Sequence, residues 1–319
     1  MNIFYVFNGD ADGVCALHQL RLENPETVTL ITGVKRDIKL LDRVAATAGD
    51  HVTVLDISLD SNRKGLTRLL QDGAIIKYFD HHHAGEIPQH DNLTTHIDVS
   101  ADVCTSLLVD QYLQGKYHAW AITAAFGDNL THKAQQLAHS AGLSAADSQR
   151  LGHLGEYLNY NGYGDNLEDL HFHPAELYKE IKPYTNPFDF IEKSSAFAKL
   201  ASGYNDDMAR ADSMQPFASD ECHAAFVLPD APWARRVSGI YANKLANANP
   251  QRAHAVMTPN HAGNYTVSVR ASLLNPQGAD QLCLQFDTGG GRKAAAGINH
   301  LPMSALDQFL IRFQEFFHG

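Results

Sequence analysis

The sequence predicts an α/β protein of two lobes: an N-terminal lobe built on a parallel sheet and a smaller C-terminal α/β lobe, joined by a helical connector. Short apolar runs alternate with helical patterns over the first hundred residues, which is typical of βαβ units. A mainly helical segment follows, and strand character returns after residue 222. The length of 319 residues suits about two domains.

Four strands are predicted in the N-terminal lobe, because each is an apolar run that ends at a polar or glycine-containing segment. They cover residues 3–7, 28–33, 51–56 and 74–79. Helical patterns lie between them at 14–22, 38–47 and 61–71. Each strand is thus separated from the next by a helix, as a parallel sheet requires.

The rest of the chain divides into helices and then strands. Residues 104–180 are mainly helical in pattern, and one further helix is expected at about 188–211. Strands are expected at 224–228, 253–257 and 265–271. The predicted organisation is therefore an N-terminal domain at 1–190, a helical connector at 191–221 and a C-terminal domain at 222–319.

Composition excludes several classes of function. The net charge is −11, and no block rich in Lys and Arg is present, whereas proteins that hold long DNA or RNA need a basic surface. Any nucleic-acid partner is therefore expected to be short. No apolar run reaches the ~18 residues of a membrane span, so no membrane partner is expected. An N-terminus without a basic leader and four scattered cysteines favour a reducing cytoplasm.

Acidic and imidazole side chains cluster where predicted strands or helices end. Asp10 and Asp12 follow the first strand, and Asp56 follows the third. The tetrad Asp80-His81-His82-His83 follows the fourth strand, and Asp128 follows an apolar helical run. Because ligands of parallel sheets bind beyond the carboxyl ends of the strands, these clusters are expected to converge at one edge.

Such a set of side chains fits a pair of divalent cations. Two ions ~3.5–4 Å apart need a bridging carboxylate and separate anchors, and together they activate a water for attack on a phosphoryl group. Mixed carboxylate and imidazole ligands suit Mn²⁺. Each cluster alone has another reading: Asp10 or Asp56 as a helix N-cap, the histidines as a solvated loop, and Asp128 as a turn or cap. The joint pattern favours the metal centre.

The same segments resemble the motifs of the DHH phosphoesterase family, which includes RecJ-like exonucleases and nanoRNases. NGDADGVCA (8–16) resembles the first motif, and VLDIS (54–58) resembles the second. FDHHHAG (79–85) resembles the third, and AAFGDN (124–129) resembles the fourth. VSVRA (267–271) and FDTGGGRKAAAGI (286–298) are similar to the companion DHHA1 domain. The resemblance implies that residues 1–190 are a catalytic DHH domain and that residues 222–319 are a substrate-binding DHHA1 domain.

The resemblance also implies roles for most of the acidic and histidine residues of these motifs. The ligands of one metal are implied to be Asp12, Asp56, His81 and Asp128. Asp10 and the bridging Asp56 are implied to hold the other. His82 is implied to contact the scissile phosphate, and Asp80 to orient a histidine; His83 has no implied role.

In the second domain, the glycines Gly289, Gly290 and Gly291 are expected to offer backbone N–H groups to a phosphate. Arg270 and Arg292 are each expected to grip a phosphate with two hydrogen bonds. A flexible hairpin loop is the alternative interpretation of the glycine run.

Two positions depart from the family pattern. Many members carry a histidine ligand of the second metal four residues before the first Asp, where this chain has Val6. Asn8 is the residue expected to compensate, through its carbonyl or a held water. DHHA1 domains usually carry a histidine at the position of Arg292, and arginine there favours a substrate with a fixed terminal phosphate.

The expected activity is Mn²⁺-dependent hydrolysis of 5′-phosphorylated dinucleotides such as pGpG or pApA to mononucleotides. Two ions are expected, with Mg²⁺ or Co²⁺ as alternatives to Mn²⁺. The C-terminal lobe is expected to recognise the far end of the substrate across a cleft. Other substrates that stay open are 3′-phosphoadenosine phosphate, cyclic dinucleotides and polyphosphate, and a nucleotide-binding sensor without catalysis is the non-enzymatic alternative. A homodimer is also left open, because some relatives dimerise.

Overall fold

The computed structural model describes residues 1–318, and the chain divides into two compact units. The first unit comprises residues 1–162 and 170–202, and the second comprises 163–169 and the chain from 203 onward. The division at 202 falls inside the segment 191–221 that the sequence predicts as connector.

The first unit is built on a five-stranded parallel sheet, which confirms the predicted fold class. Its strands are β1 (Ile3–Phe7), β2 (Thr29–Ile31), β3 (His51–Leu55), β4 (Ile75–Asp80) and β5 (Leu93–Ile97). They lie in the order β2-β1-β3-β4-β5. The chain therefore changes direction across the sheet between β1 and β3, which is the point where open parallel sheets bind ligands.

Nine helices belong wholly or partly to the described residues of this unit. They are α1 (Ala11–Glu23), α2 (Arg63–Gln71), α3 (Thr105–Tyr112), α4 (His118–Gly127), α5 (Thr131–Ser140), α6 (Ala145–Gly162), α7 (Pro174–Ile181), α8 (Pro187–Lys193) and α9 (Ser195–Asp212). Two expectations on helices are wrong. Residues 38–47 form only a short 3₁₀ turn at Leu40–Arg43, and residues 188–211 form two helices.

Each difference follows from the hydrogen bonds of one polar side chain. The Asn62 side chain donates to the carbonyl of Ile38 (2.6 Å) and accepts from the N–H of Leu41 (3.2 Å), so it occupies backbone groups that a helix would pair. Ser194 has an extended backbone between α8 and α9, and its Oγ accepts the N–H of Ala196 at 3.1 Å. A serine that caps the second helix thus ends the first one.

The sheet is buried on both faces. Tyr5 and Phe7 of β1 pack into an apolar cluster with α1, α3, α4 and α6, whereas Val6 between them packs into a second cluster on the opposite face. This alternation follows from the two-residue period of a strand. The position that holds a histidine in many DHH proteins is therefore occupied here by an apolar core residue.

The second unit contains a six-stranded mixed sheet. Its strands are β6 (Ala218–Ser219), β7 (His223–Val227), β8 (Ala253–Pro259), β9 (Asn264–Arg270), β10 (Gly289–Gly291) and β11 (Ala295–Pro302), in the order β10-β11-β9-β8-β7-β6. Among the described strands of this sheet, only β7 and β8 pair in parallel. Three helices accompany the sheet: α10 (Pro232–Ala248), α11 (Ala279–Cys283) and α12 (Leu306–Phe317). Among the helices of residues 1–318, none has the length and apolar character needed to cross a membrane.

Candidate metal centre

The predicted acidic and histidine residues of the first unit lie together at the carboxyl edge of the parallel sheet. Asp10 and Asp12 begin α1 directly after β1, Asp56 follows β3, and His81 follows β4. The three aspartates are at most 2% exposed. Buried carboxylates need compensating donors or cations, and the surrounding structure provides several.

Two helix N-termini point at the cluster. Asp10 caps α1, because its Oδ1 accepts the N–H groups of Asp12 and Gly13, both at 3.1 Å. The carboxylate of Asp12 accepts the N–H groups of Thr105 and Ser106, both at 2.7 Å, where α3 begins. Helix N-termini stabilise negative charge through their unpaired N–H groups and their dipoles. The two carboxylates are thereby fixed in position.

Asp56 has an unusual backbone conformation. Its φ angle is +60°, in the left-handed region that residues other than glycine seldom adopt. Its Oδ1 accepts the hydroxyl of Thr105 at 3.2 Å. Such strain persists where the surrounding structure determines it, and it is concentrated at functional sites.

The end of α4 brings Asp128 to the cluster. A Cβ atom on Gly127 would lie 2.4 Å from the Cβ of Ala11, so only glycine allows the end of α4 to approach the start of α1 so closely. Asp128 follows at the C-terminal end of α4. This fourth carboxylate therefore lies beside those that follow β1 and β3.

His81 lies at the centre of the carboxylates. Its Nε2 is 3.4 Å from Asp56 Oδ1, 3.7 Å from Asp128 Oδ2 and 3.9 Å from Asp12 Oδ2. Two groups of three side chains have donor atoms within 4.8 Å of one another: Asp12 with His81 and Asp128, and Asp56 with His81 and His82. Either group could hold a metal ion, and the oxygen and imidazole donors suit Mn²⁺ or Mg²⁺-like ions.

His82 is held differently from His81. Its Nδ1 lies 2.7 Å from Oδ1 of the fully buried Asp80, which fixes the proton on Nδ1 and leaves Nε2 for a ligand. Its side chain is 45% exposed. Burial lowers the pKa of His82, but the carboxylates of Asp80, Asp128 and Asp10 outweigh this effect and raise the pKa above its usual value. His83 is exposed, and its carbonyl accepts the hydroxyl of Ser58.

The cluster has more negative than positive charge. Burial, together with the neighbouring carboxylates Asp12 and Asp10, raises the pKa of Asp56 well above its usual value. Burial likewise raises the pKa of Asp128 to about 6, although Lys35 opposes the change. Oδ2 of Asp80 and Oδ1 of Asn8 are buried without a hydrogen-bond partner within residues 1–318. Carboxylates that resist ionisation and oxygens that lack donors together fit a site for a divalent cation.

Lys35 is a site residue that sequence reasoning missed. Its Nζ donates to Asp10 Oδ2 at 2.6 Å and to Asn159 Oδ1 at 2.9 Å, and lies 3.9 Å from Asp128 Oδ1. Burial raises the pKa of Asp10, but this ammonium, together with hydrogen bonds from the Gly13 N–H and with Asp56, outweighs it and brings the pKa down to about 2. The signal that could have found Lys35 is its place just after β2, the strand next to β1. Asn8 donates its Nδ2 to the Lys35 carbonyl at 3.3 Å, so it supports that loop.

The predicted phosphate-binding residues lie in the second unit, at one end of its sheet. Arg270 pairs with Ala295 across β9 and β11, and Ala295 closes a tight turn with Arg292 through two backbone hydrogen bonds. Arg270 Nε donates to Asn243 Oδ1 at 2.6 Å, which fixes the guanidinium against α10, whereas Arg292 is exposed.

The glycine run forms β10 of this sheet rather than an open loop. A Cβ on Gly289 would lie 1.8 Å from the carbonyl oxygen of Cys283, and one on Gly291 would lie 2.4 Å from the Cα of Ala296. Packing inside the unit thus explains why two of the three positions are occupied by glycine. A Cβ on Gly290 would meet open space, so packing does not require glycine at that position.

A parallel sheet with candidate metal-ligand side chains at its carboxyl edge, followed by a mixed sheet, defines an α/β protein of two units with a candidate metal site. No protein-family model matches the chain, and no curated protein matches it either. Solved structures match it over almost its whole length. The exonuclease RecJ bound to manganese is 15% identical, with a TM-score of 0.66 over 99% of this chain and 89% of that one.

Two further structures show the same similarity. RecJ from Thermus thermophilus in complex with Mn²⁺ is 17% identical with a TM-score of 0.67, and the match covers 99% of this chain and 52% of that one. PggH, a pGpG-specific phosphodiesterase from Vibrio cholerae, is 14% identical with a TM-score of 0.59, and the match covers 98% of both chains. The predicted resemblance to RecJ-like DHH/DHHA1 proteins is therefore confirmed at the level of the fold.

Proposed function

We propose that the protein is a metal-dependent phosphodiesterase that hydrolyses short oligonucleotides, with 5′-phosphorylated dinucleotides such as pGpG or pApA as its preferred substrates. One observation carries the proposal: His81 Nε2 lies within 4 Å of carboxylate oxygens of Asp12, Asp56 and Asp128. The fold shared with RecJ and with the pGpG-specific PggH supports the same reaction class.

In this proposal, the metal ligands are Asp12, Asp56, His81 and Asp128, and Mn²⁺ is the preferred ion. A bound divalent ion supplies Lewis acidity and an activated water for attack on the phosphate. Asp12 supplies its carboxylate from the start of α1, Asp128 from the end of α4, and Asp56 from the end of β3. Asp10 is already paired with Lys35, so it is not included in this ligand set.

His82 is the proposed contact to the scissile phosphate. Its Nδ1–H donates to Asp80, so the ring is oriented and Nε2 is available to the substrate. Because the pKa of His82 is raised, the ring tends to keep a second proton that it can donate to a phosphate oxygen. A charged donor of this kind stabilises the negative charge that develops during displacement.

Short substrates are favoured by charge. The chain has a net charge of −11, and long nucleic acids are held mainly by basic side chains along the phosphate backbone. We propose that Arg270, Arg292 and the backbone of Gly290 bind a substrate phosphate, with Gly289 and Gly291 shaping that strand. These few groups suit a dinucleotide better than a long polymer.

The test is a panel of substrates with Mn²⁺: pGpG, pApA, a 5-mer, a 24-mer, 3′-phosphoadenosine phosphate, a cyclic dinucleotide and pyrophosphate. The control variants are Asp56→Asn in the cluster and Asp91→Asn, which changes an exposed aspartate of the same unit. Fast loss of the dinucleotides by the wild type and by Asp91→Asn, but not by Asp56→Asn, is expected. A 24-mer cleaved faster than the dinucleotides would contradict the length preference, and nucleotide binding without any turnover would indicate a sensor.

A further inference from the structure

Lys35 is held in the candidate metal centre from several sides. Its backbone N–H donates to the carbonyl of Gly162 at 2.9 Å, and its own carbonyl accepts the Asn8 amide at 3.3 Å. Its ammonium lies between Asp10 Oδ2 at 2.6 Å and Asn159 Oδ1 at 2.9 Å. The side chain is only 23% exposed, so its positive charge is largely buried beside the carboxylates.

We propose that the Lys35 ammonium takes the place of a second metal ion, so that the chain binds a single divalent cation at Asp12, Asp56, His81 and Asp128. This inference rests on the proposed function, because it concerns the same metal centre. It assigns Asp10 to Lys35 and makes Lys35 a positioning residue with a fixed charge.

The hydrogen bonds of Asp10 are the first argument. Its Oδ1 already accepts two backbone N–H groups at the start of α1, and its Oδ2 accepts the Lys35 ammonium. A carboxylate oxygen has about two acceptor positions, so Oδ1 is saturated. A divalent ion on Oδ2 would lie beside the ammonium and be repelled by it.

The arrangement of the other ligands is the second argument. Within residues 1–318, neither group of side chains that could hold an ion includes Asp10. Both groups depend on His81, and in one of them the Nδ1 of His82 is already bonded to Asp80. The group of Asp12, His81 and Asp128 does not contain His82, and each Asp12 oxygen accepts only one backbone N–H, which leaves an acceptor position on each. The geometry therefore favours one ion.

The third argument comes from position 6. Val6 is fully buried among apolar residues that include Val54 and Ile57, so it offers no ligand for a second ion. Lys35 supplies positive charge beside Asp10 instead, and it also lies 3.9 Å from Asp128. A lysine in this place balances charge without a metal, at the cost of the Lewis acidity that a metal provides.

The experiment is a titration of the metal-free full chain with Mn²⁺, read by calorimetry and by electron paramagnetic resonance. The wild type is expected to bind one ion per chain and to show the spectrum of an isolated Mn²⁺. Lys35→Met, which removes the charge but keeps much of the side-chain length, is expected to bind a second ion and to show spin coupling between two ions. Lys35→Arg retains the charge and is expected to bind one ion.

Lys39→Met is the matched control, because Lys39 lies in the same loop and is exposed; its ion count should stay at one. Two ions of similar affinity in the wild type would overturn the proposal, and so would a single ion in folded Lys35→Met. If Lys35→Met does not fold, the number of Mn²⁺ ions bound by the wild type still tests the proposal. One ion without turnover of any nucleotide would contradict the proposed function alone, and two coupled ions with dinucleotide turnover would contradict this inference alone.

Discussion

The binding of Mn²⁺ should weaken steeply as the pH falls through 6. The pKa of Asp128 is raised to about 6 by burial and by neighbouring carboxylates, and a carboxylate must be deprotonated to bind a metal. Below that pH, each further pH unit should weaken the apparent affinity about tenfold through Asp128 alone. The raised pKa of Asp56 makes the decline steeper still.

The assay is calorimetric titration with Mn²⁺ between about pH 5 and 7.5, in two buffers with different ionisation enthalpies. The difference between buffers reports the protons released per ion. The wild type is expected to release more than one proton per bound ion at the lowest pH of this range. Asp128→Asn should bind Mn²⁺ more weakly at neutral pH and, at low pH, should release about one proton fewer per ion than the wild type. An affinity that stays flat over this range, or the same proton count in both proteins, would refute the reasoning.

The same pKa has a consequence for the stability of the metal-free protein. A carboxyl whose pKa rises from 3.8 to about 6 on folding contributes stability that is present below pH ~4 and lost as the pH rises through ~6. The upper limit of this loss is ~3 kcal/mol. Denaturant unfolding in a chelator should therefore show the wild type losing more stability than Asp128→Asn between those pH values.

Three other substitutions test separate residues. Asp12→Asn should lower the Mn²⁺ affinity, measured by calorimetry, at least about tenfold. It should also lower the stability measured by urea unfolding, because one oxygen that accepts an N–H at the start of α3 becomes an amide donor. Unchanged Mn²⁺ affinity would show that Asp12 is not a ligand. His82→Gln should reduce kcat for pGpG by about 10²–10³ with unchanged Mn²⁺ affinity, whereas a parallel loss of affinity would make His82 a ligand. Arg292→Ala should raise KM for pGpG more than it lowers kcat, because Arg292 is exposed and removing it leaves the packing intact; an unchanged KM would exclude the proposed phosphate contact.

Much of the fold could be predicted because the strands of the parallel sheet are short apolar runs that end at polar or glycine-containing segments. The run IFYVF and the run HVTVL both became strands of the parallel sheet, and the aspartates that follow them lie at its carboxyl edge. The helix expected at 38–47 was wrong because one distant side chain, Asn62, binds its backbone. Pattern alone carries no information on such a contact.

The acidic residues of the candidate site could be predicted from the sequence, whereas its lysine, Lys35, could not. Asp10, Asp56 and Asp128 stand just after strands or a helix, so their positions in the sequence indicate an edge. Lys35 lies in the loop beyond the end of β2, and its partner Asn159 is 124 positions away. The pairing depends on how α6 passes the sheet, which local sequence does not encode. The substrate-binding roles of Arg270 and Arg292 stay a prediction.

The structure also explains how so many carboxylates can share one buried edge. Asp12 is neutralised by two N–H groups at the start of α3, and Asp10 by the start of α1 together with Lys35. Within residues 1–318, Asp56 and Asp128 have no comparable set of donors, and theirs are the two carboxyls of the cluster whose pKa values are raised. The least compensated negative charge thus lies on the two side chains nearest to His81. Since a divalent ion there would compensate both at once, binding energy for the metal is concentrated where the protein itself compensates negative charge least.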